Sequence, residues 1–298
     1  MSEDIVIILN ACAGSAAEGS PQDDLRDAFR VNDIAAEFLC ASGGDEIQKF
    51  AKDAAAGPAG VIIAAGGDGT VSTVASELVN TSKTLGVLPL GTLNNFSKDL
   101  QIPQDVAESV KVIADGFTQK IDVGEVNGRF FINNSSIGLY PHIVRKRERH
   151  QRLGHGKWWA AAWAAWRFLW VSPFLKVKLK LDGNEFLRKT PFVFVGNNDY
   201  EMDFYNIGRR SRLDEGKLSI YLLHRSGRTE LFLLILRTLF GRLKQAKDFE
   251  EIRTTDVTIN TRRKRIHVAC DGEVETMNTP LQYRIHPRAL RVIVPRPE

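Results

Sequence analysis

The sequence predicts an α/β domain with a parallel sheet and helices on both faces, followed by a β-rich, sandwich-like domain with helical insertions. Three observations predict it. Up to residue 120, short apolar runs alternate with helical patterns, as parallel strands joined by crossover helices do. Beyond residue 120, strand patterns follow one another directly. At 298 residues the chain also exceeds one core of ordinary size. We place the domains at 1–120 and 121–298, with the last residues able to pack back on the first.

In order, Ile5–Leu9 reads as a buried strand, Pro21–Phe29 as a helix and Ile34–Phe38 as a strand. Asp45–Ala55 reads as a helix, Val61–Ala65 as a strand, Thr70–Val79 as a helix, Leu85–Pro89 as a strand and Gln104–Ala114 as a helix. Continuous apolar strands of this kind are buried on both faces, and their ligands bind at the strands' carboxyl ends. Lys120–Val126, the turn Asn127-Gly128 and Phe130–Ser135 read as a hairpin. Strand patterns return at 175–181, 192–195, 218–223, 257–261, 265–270, 282–285 and 290–294.

Composition narrows the function classes. Apolar residues at 43% and charged residues at 26% are the balance of a globular protein. The longest apolar stretches, Trp158–Trp166 and Leu231–Leu236, are too short to span a bilayer. The acidic start MSEDIVIILN reads as the lead into a strand and not as a signal peptide. Cys12, Cys40 and Cys270 form no disulfide or zinc pattern, and a reduced, cytoplasmic setting suits them. Residues 1–120 carry 8 Lys/Arg against 17 Asp/Glu, whereas residues 121–298 carry 32 against 19. The basic half suits an anionic surface, a membrane or a nucleic acid.

Two glycine turns carry the chemistry. Gly66-Gly67-Asp68-Gly69-Thr70 follows the strand at 61–65 and opens a helix. Glycines let the main chain approach a ligand, and free N–H groups at the helix start make an anion site. Thr70 can cap the helix or bond a phosphate oxygen. Asp68 suits such a turn when Mg²⁺ or a lysine offsets its charge. The plainer alternative is a strand-to-helix turn, and the chain has neither a GxxxxGK[ST] nor a GxGxxG string. Pro89-Leu90-Gly91-Thr92-Leu93-Asn94-Asn95-Phe96 also follows a strand; alone it reads as a plain turn as readily as a site, but the two turns would face one crevice.

GGDGT with PLGTLNNF some twenty residues later resembles the catalytic region of the diacylglycerol kinase superfamily, specifically the bacterial soluble lipid kinases. These are similar to sphingosine and ceramide kinases and, more distantly, to NAD kinases and phosphofructokinases. Further matches are the loop Asn10-Ala11-Cys12-Ala13-Gly14, Asp122 with Asn127–Phe131, Leu213–Leu218, and Cys270-Asp271-Gly272-Glu273. The resemblance implies ATP in the cleft between the domains. It would be held by Asn10, Ala11, Cys12, Ala13 and Gly14, by Gly66, Gly67, Asp68, Gly69, Thr70, Val71 and Ser72, and by Thr92 and Asn94. It implies Glu273 as proton acceptor, with Asp271 beside it in an acidic network that includes Asp68. For Asp271-Gly272 the alternative is a hairpin turn, the reading we also give Asp182-Gly183. The resemblance further implies a second-domain Mg²⁺ held by the carbonyls of Arg212 and Lys217 and the side chain of Glu215. Three departures stand out: Glu215 and Asn95 each replace an aspartate, and Ala11 replaces a proline.

On the lipid side, a basic cluster at 145–152 precedes Trp159, Trp163, Trp166 and Trp170, spaced 4, 3 and 4 along one helical face. Basic residues beside a tryptophan stripe suit an interfacial helix on anionic lipid; the alternative is a stripe packed on the second domain's sheet. Leu231–Phe240 reads as a core helix. Arg209-Arg210-Ser211-Arg212 and Arg262-Arg263-Lys264-Arg265 add to the basic half, but no nucleic-acid-binding motif accompanies them. The six histidines fall at no metal-ligand spacing. The expectation is a cytoplasmic, peripherally membrane-associated kinase that moves the γ-phosphate of ATP, with Mg²⁺, to a lipid hydroxyl, a homodimer being an open assembly. Alternatives are an NAD-kinase-like kinase of a soluble metabolite, a catalytically weak lipid-binding regulator, and a nucleic-acid-binding protein.

Overall fold

The computed structural model describes residues 5–10, 21–138, 174–181, 183–200, 210, 212–223 and 249–297. Strands β1 (Ile5–Asn10), β2 (Ala36–Ala41), β3 (Val61–Gly66) and β4 (Thr84–Pro89) lie in the order β2-β1-β3-β4, all parallel. β3 and β4 are buried at every residue because helices cover both faces. Helices α2 (Gly44–Ala56) and α3 (Asp68–Leu78) pack on one face through Ile47, Ala51, Val71, Val74 and Leu78. Helices α1 (Pro21–Val31) and α5 (Val106–Asp115) pack on the other through Leu25, Phe29, Val110 and Ile113. The Asp105 carboxylate accepts the Glu108 N–H to start α5, and Gly116 ends it at φ +63°. Between β4 and α5 lies a single turn, α4 (Asn95–Asp99).

The second domain is an antiparallel sandwich. One layer is a six-stranded sheet of β7 (Asn134–Gly138), β10 (Phe192–Asn197), β11 (Leu218–Leu223), β12 (Phe249–Thr254), β14 (Arg265–Cys270) and β15 (Glu273–Asn278), ordered β12-β11-β10-β7-β14-β15. The other continues the first domain's sheet. Strand β16 (Leu281–Ile293) pairs in parallel with β4, Arg291 opposite Thr84, and antiparallel with β5 (Thr118–Val126) and β13 (Asp256–Thr261). Strands β8 (Leu175–Leu181) and β9 (Asn184–Thr190) extend it. Phe131, Ile137, Val177, Val195, Ile259 and Val268 fill the space between the layers. The alternation along β8, with Lys176, Lys178 and Lys180 exposed and Leu175, Val177, Leu179 and Leu181 buried, is that of a sheet with one wet face.

The structure departs from the sequence expectations where polar groups intervene. The second strand runs Ala36–Ala41 instead of 34–38. The run Phe130–Ser135 is two strands: β6 (Arg129–Phe131) completes the hairpin with β5 around Asn127 and Gly128, both at positive φ, and β7 crosses to the other sheet. The break falls at residues 132–133, whose N–H groups turn to the Asp271 carboxylate. The separate segments expected at 282–285 and 290–294 are one strand with a bulge between His286 and Leu290, where the Asp122 carboxylate accepts the Arg288 N–H. Strands β9, β12 and β15 escape the pattern; all three are edge strands rich in charged residues. The helices read at 145–170 and 231–240, and Asp182, lie outside the described residues.

Candidate active site

Two strand ends build a cradle. β3 and β4 pair with Gly66 opposite Pro89, so the turns that follow leave the sheet side by side. They touch main chain to main chain: a Cβ on Gly91 would lie 2.5 Å from the Gly67 Cα. The second turn is held by Asn94, itself in the left-handed region at φ +52°. Its Oδ1 accepts the Gly91 N–H at 3.0 Å, and its Nδ2 donates to the carbonyls of Gly91 at 2.8 Å and Pro89 at 3.3 Å. Asn94 therefore spends its amide shaping the loop. Thr92 is exposed at the loop's tip.

Helix α3 starts from Gly67 with no side chain capping it. A Cβ on Gly69 would meet no atom within 4 Å. The first-turn amides are therefore presented without a side-chain partner, the arrangement that binds phosphate oxygens. Asp68 accepts the Phe96 N–H at 3.1 Å and so fixes the start of α4. Thr70 accepts from Asn10 Nδ2 at 3.2 Å, tying in the end of β1. The Val71 side chain lies in the first domain's core. Ala11, Cys12, Ala13 and Gly14 lie outside the described residues.

An acidic turn from the second domain meets this helix start. Asp271 and Gly272, at φ +48° and +92°, form the two-residue connection between β14 and β15, so the hairpin reading holds. Asp271 is also a hub. Its carboxylate accepts the Ser72 hydroxyl at 2.6 Å and the N–H groups of Ile132, Asn133 and Asn134 at 2.9, 2.8 and 3.0 Å. Burial pushes the Asp271 carboxyl above the usual carboxylate range, against the pull of those hydrogen bonds. Glu273 opens β15 two residues on, with its side chain 52% exposed. Arg129 Nη2 pairs with it at 2.6 Å and Arg129 Nη1 with Glu275 at 3.1 Å. Asp68, Thr70, Ser72 and Asp271 are thus gathered around the first turns of α3, with Glu273 at the rim.

The second-domain candidates are arranged differently. Glu215 Oε2 lies 3.3 Å from Lys217 Nζ, which also pairs with Asp199 at 3.0 Å. The Lys217 carbonyl accepts the Asn198 N–H. An ammonium therefore stands against the one carboxylate that would ligate, and the donor set of Arg212, Glu215 and Lys217 does not fit a hard dication. Among the described residues no group of three or more His, Cys, Asp or Glu could hold a metal ion.

The burial of two charged residues named above, Arg210 and Asp122, has no signal in the sequence. Arg210, counted in the sequence only as part of the basic half, has a side chain 0% exposed, and its Nε bonds Asp99 Oδ2 at 2.8 Å. The partners are 111 positions apart, and neither pattern nor spacing signals such a pair. Asp122 is also fully buried, accepting the Gly216 N–H at 2.6 Å and the Arg288 N–H at 2.8 Å.

Residues 4–126 match the family described as the diacylglycerol kinase catalytic domain, and residues 146–294, half of the chain, match the YegS C-terminal NAD kinase beta sandwich-like domain. A Staphylococcus aureus (strain JH9) protein named diacylglycerol kinase is 30% identical over 174 residues, 57% of this chain and 55% of that protein. The chain thus matches about half the length of this curated relative. A crystal structure from Bacillus anthracis strain Sterne superimposes with a TM-score of 0.76 at 24% identity over 98% of both chains. Another from that strain, of a diacylglycerol kinase, gives 0.71 at 22% identity over 98% and 97%. These two likenesses establish the fold.

Proposed function

We propose, for a chain that belongs to the diacylglycerol kinase-like family, that it transfers the γ-phosphate of ATP to the hydroxyl of a lipid at a membrane surface. The observation that carries this reading is the 2.6 Å hydrogen bond from Ser72 to Asp271. It ties the acidic turn of one domain to the uncapped helix start of the other, next to the glycine cradle.

Phosphoryl transfer asks for positioning, charge neutralisation and one group to take the hydroxyl proton. The amides of Gly67, Gly69 and Thr70 would bind the phosphate tail, with Thr92 beside them. Glu273 is the proposed proton acceptor: half exposed and paired with Arg129 through Oε2, it would meet an incoming alcohol with Oε1, whereas Asp271 is committed to four hydrogen bonds. Asp271 holds the turn from which Glu273 projects. Magnesium bound to the nucleotide would neutralise phosphate charge when present. Asp68 would help hold that ion, because magnesium habitually takes one or two carboxylates and completes its shell with phosphates and water. Asn95 adds no charge there.

The basic, Trp-rich segment at 145–170 is the proposed membrane-facing element. No helix among the described residues is long and apolar enough to cross a bilayer. A second reading, a kinase of a soluble metabolite such as NAD, is favoured by the description of the second domain's family.

The test is a γ-phosphate transfer assay of the full chain against a panel of diacylglycerol, sphingoid and related lipids, run beside NAD. Phosphorylated lipid, abolished by Glu273→Gln, is the expected result. Labelling of NAD alone would select the second reading. Labelling of no acceptor, by wild type or by an Asn95→Asp variant, would refute the kinase reading.

A further inference from the structure

The buried guanidinium of Arg210 reaches both halves of the candidate site. Toward the first domain, its Nε donates to Asp99 Oδ2 at 2.8 Å, and its main-chain N–H lies 3.4 Å from Asp99 Oδ1. Asp99 ends α4, the turn whose start is fixed by Asp68 through the Phe96 N–H. Toward the second domain, Nη1 donates to the Ile132 carbonyl at 2.6 Å and the Asn197 carbonyl at 3.3 Å, and Nη2 to Asn133 Oδ1 at 2.7 Å. Ile132 and Asn133 give their N–H groups to Asp271. Asp271 in turn takes the Ser72 hydroxyl, one helical turn along α3 from Asp68. The links close a ring from α3 through α4, Asp99, Arg210, residues 132–133 and Asp271 back to α3.

We propose that Arg210 is a positioning residue that sets the nucleotide cradle and the acidic turn in register. This rests on the phosphoryl-transfer reading above. Stability alone does not account for the arrangement, since a buried ion pair is often replaceable by apolar residues at no loss of stability. What an apolar pair cannot reproduce is a planar fork aimed at groups in two domains. Lysine keeps the charge and loses the fork. Misplacing reacting groups by about 1 Å costs on the order of 100-fold in rate.

The test uses the full chain with Arg210→Lys and with the apolar pair Asp99→Leu/Arg210→Met. Melting temperature, nucleotide affinity, kcat, and amide hydrogen exchange over 93–100 and 129–137 are measured for each. We expect the apolar pair to fold but to melt several degrees below wild type, because Asn133 Oδ1 and the Asn197 carbonyl lose a buried donor, the KM for ATP to stay within about threefold, and kcat to fall between 10- and 100-fold. Exchange should quicken in both segments together. If the apolar pair folds and retains wild-type kcat and wild-type exchange, the proposal is overturned. Should that pair fail to fold, Arg210→Lys decides: unchanged kcat and unchanged exchange overturn it, and quickened exchange in both segments upholds it. Exchange needs no acceptor, so failure of the kinase reading appears separately, as a wild type that labels nothing yet shows coupled exchange on Arg210→Lys.

Discussion

Ser72 and Asp271 are 199 positions apart and share one hydrogen bond of 2.6 Å, which joins the first helical turns beyond the glycine cradle to a hairpin of the other domain. Among the described residues, Ser72→Ala removes the one side-chain donor this carboxylate receives and leaves its three main-chain donors. The expected cost is about 1–2 kcal/mol in urea unfolding. Asp271→Asn should cost more, because its amide would bring two N–H groups to a site already holding four donors. If both variants unfold at the wild-type midpoint, the contact does not form in solution.

Gly69→Ala and Gly91→Ala should separate ligand contact from packing. A Cβ on Gly69 meets nothing within 4 Å, and the residue lies inside α3. Alanine there should leave stability unchanged or raise it by up to about 1 kcal/mol, because it lowers the entropy cost of the helix. It should nevertheless weaken ATP binding, since only a ligand would occupy that space. A Cβ on Gly91 would lie 2.5 Å from Gly67 Cα, so alanine must push the two turns apart. The expected loss is about 1–3 kcal/mol with reduced nucleotide affinity. Thermal melts and nucleotide titrations of the two variants check both signs; equal stability losses would contradict the assignment.

The parallel sheet and the cradle were legible because their signals are local. Apolar runs bounded by glycine name β3 and β4, and a strand followed by GGDGT or PLGT names the turn at its end. Adjacency of the two strands then brings Gly67 against Gly91. The chain was mute where a group is paired across the fold. Arg210 looks like its basic neighbours until Asp99 is seen beside it. The strand at 130–135 breaks because Asp271, far along the chain, takes its amides. Lys217 offered a carbonyl by resemblance, yet its ammonium stands against Glu215. Edge strands such as β12, FEEIRT, carry charge on either face and lose the period-two pattern that would reveal them.

The Glu215–Lys217 pair sets an expectation for metal removal. With the ammonium 3.3 Å from the carboxylate, magnesium without nucleotide should find no ready site there. Chelation followed by addition of millimolar magnesium should leave the melting temperature unchanged, whereas magnesium with ATP should raise it through binding to the folded state. Lys217→Ala should expose Glu215 and Asp199 to solvent cations. A stabilisation by magnesium alone, lost on Glu215→Gln, would show a bound metal in the wild type.

Cysteine reactivity gives a pH test of the sandwich core. Cys270 is buried beside Ser135, and burial pushes its thiol from 9.0 up to about 12. Cys40 is exposed. A thiolate is the reacting form, so at pH 8 the raised value leaves Cys270 about a thousandfold less thiolate than an unperturbed thiol. Peptide mass spectrometry after iodoacetamide should find Cys40 modified and Cys270 intact in the folded chain, and both modified in urea. The sign for stability follows. A thiol that is harder to ionise when folded contributes stability that is full below pH 9 and lost as pH rises toward 12. Cys270→Ala removes that contribution, so its unfolding free energy should fall less steeply than that of wild type over this alkaline range. Rapid labelling of Cys270 in the native protein at pH 8 would mean that the β14–β15 hairpin carrying Asp271 opens far more readily than its buried contacts allow.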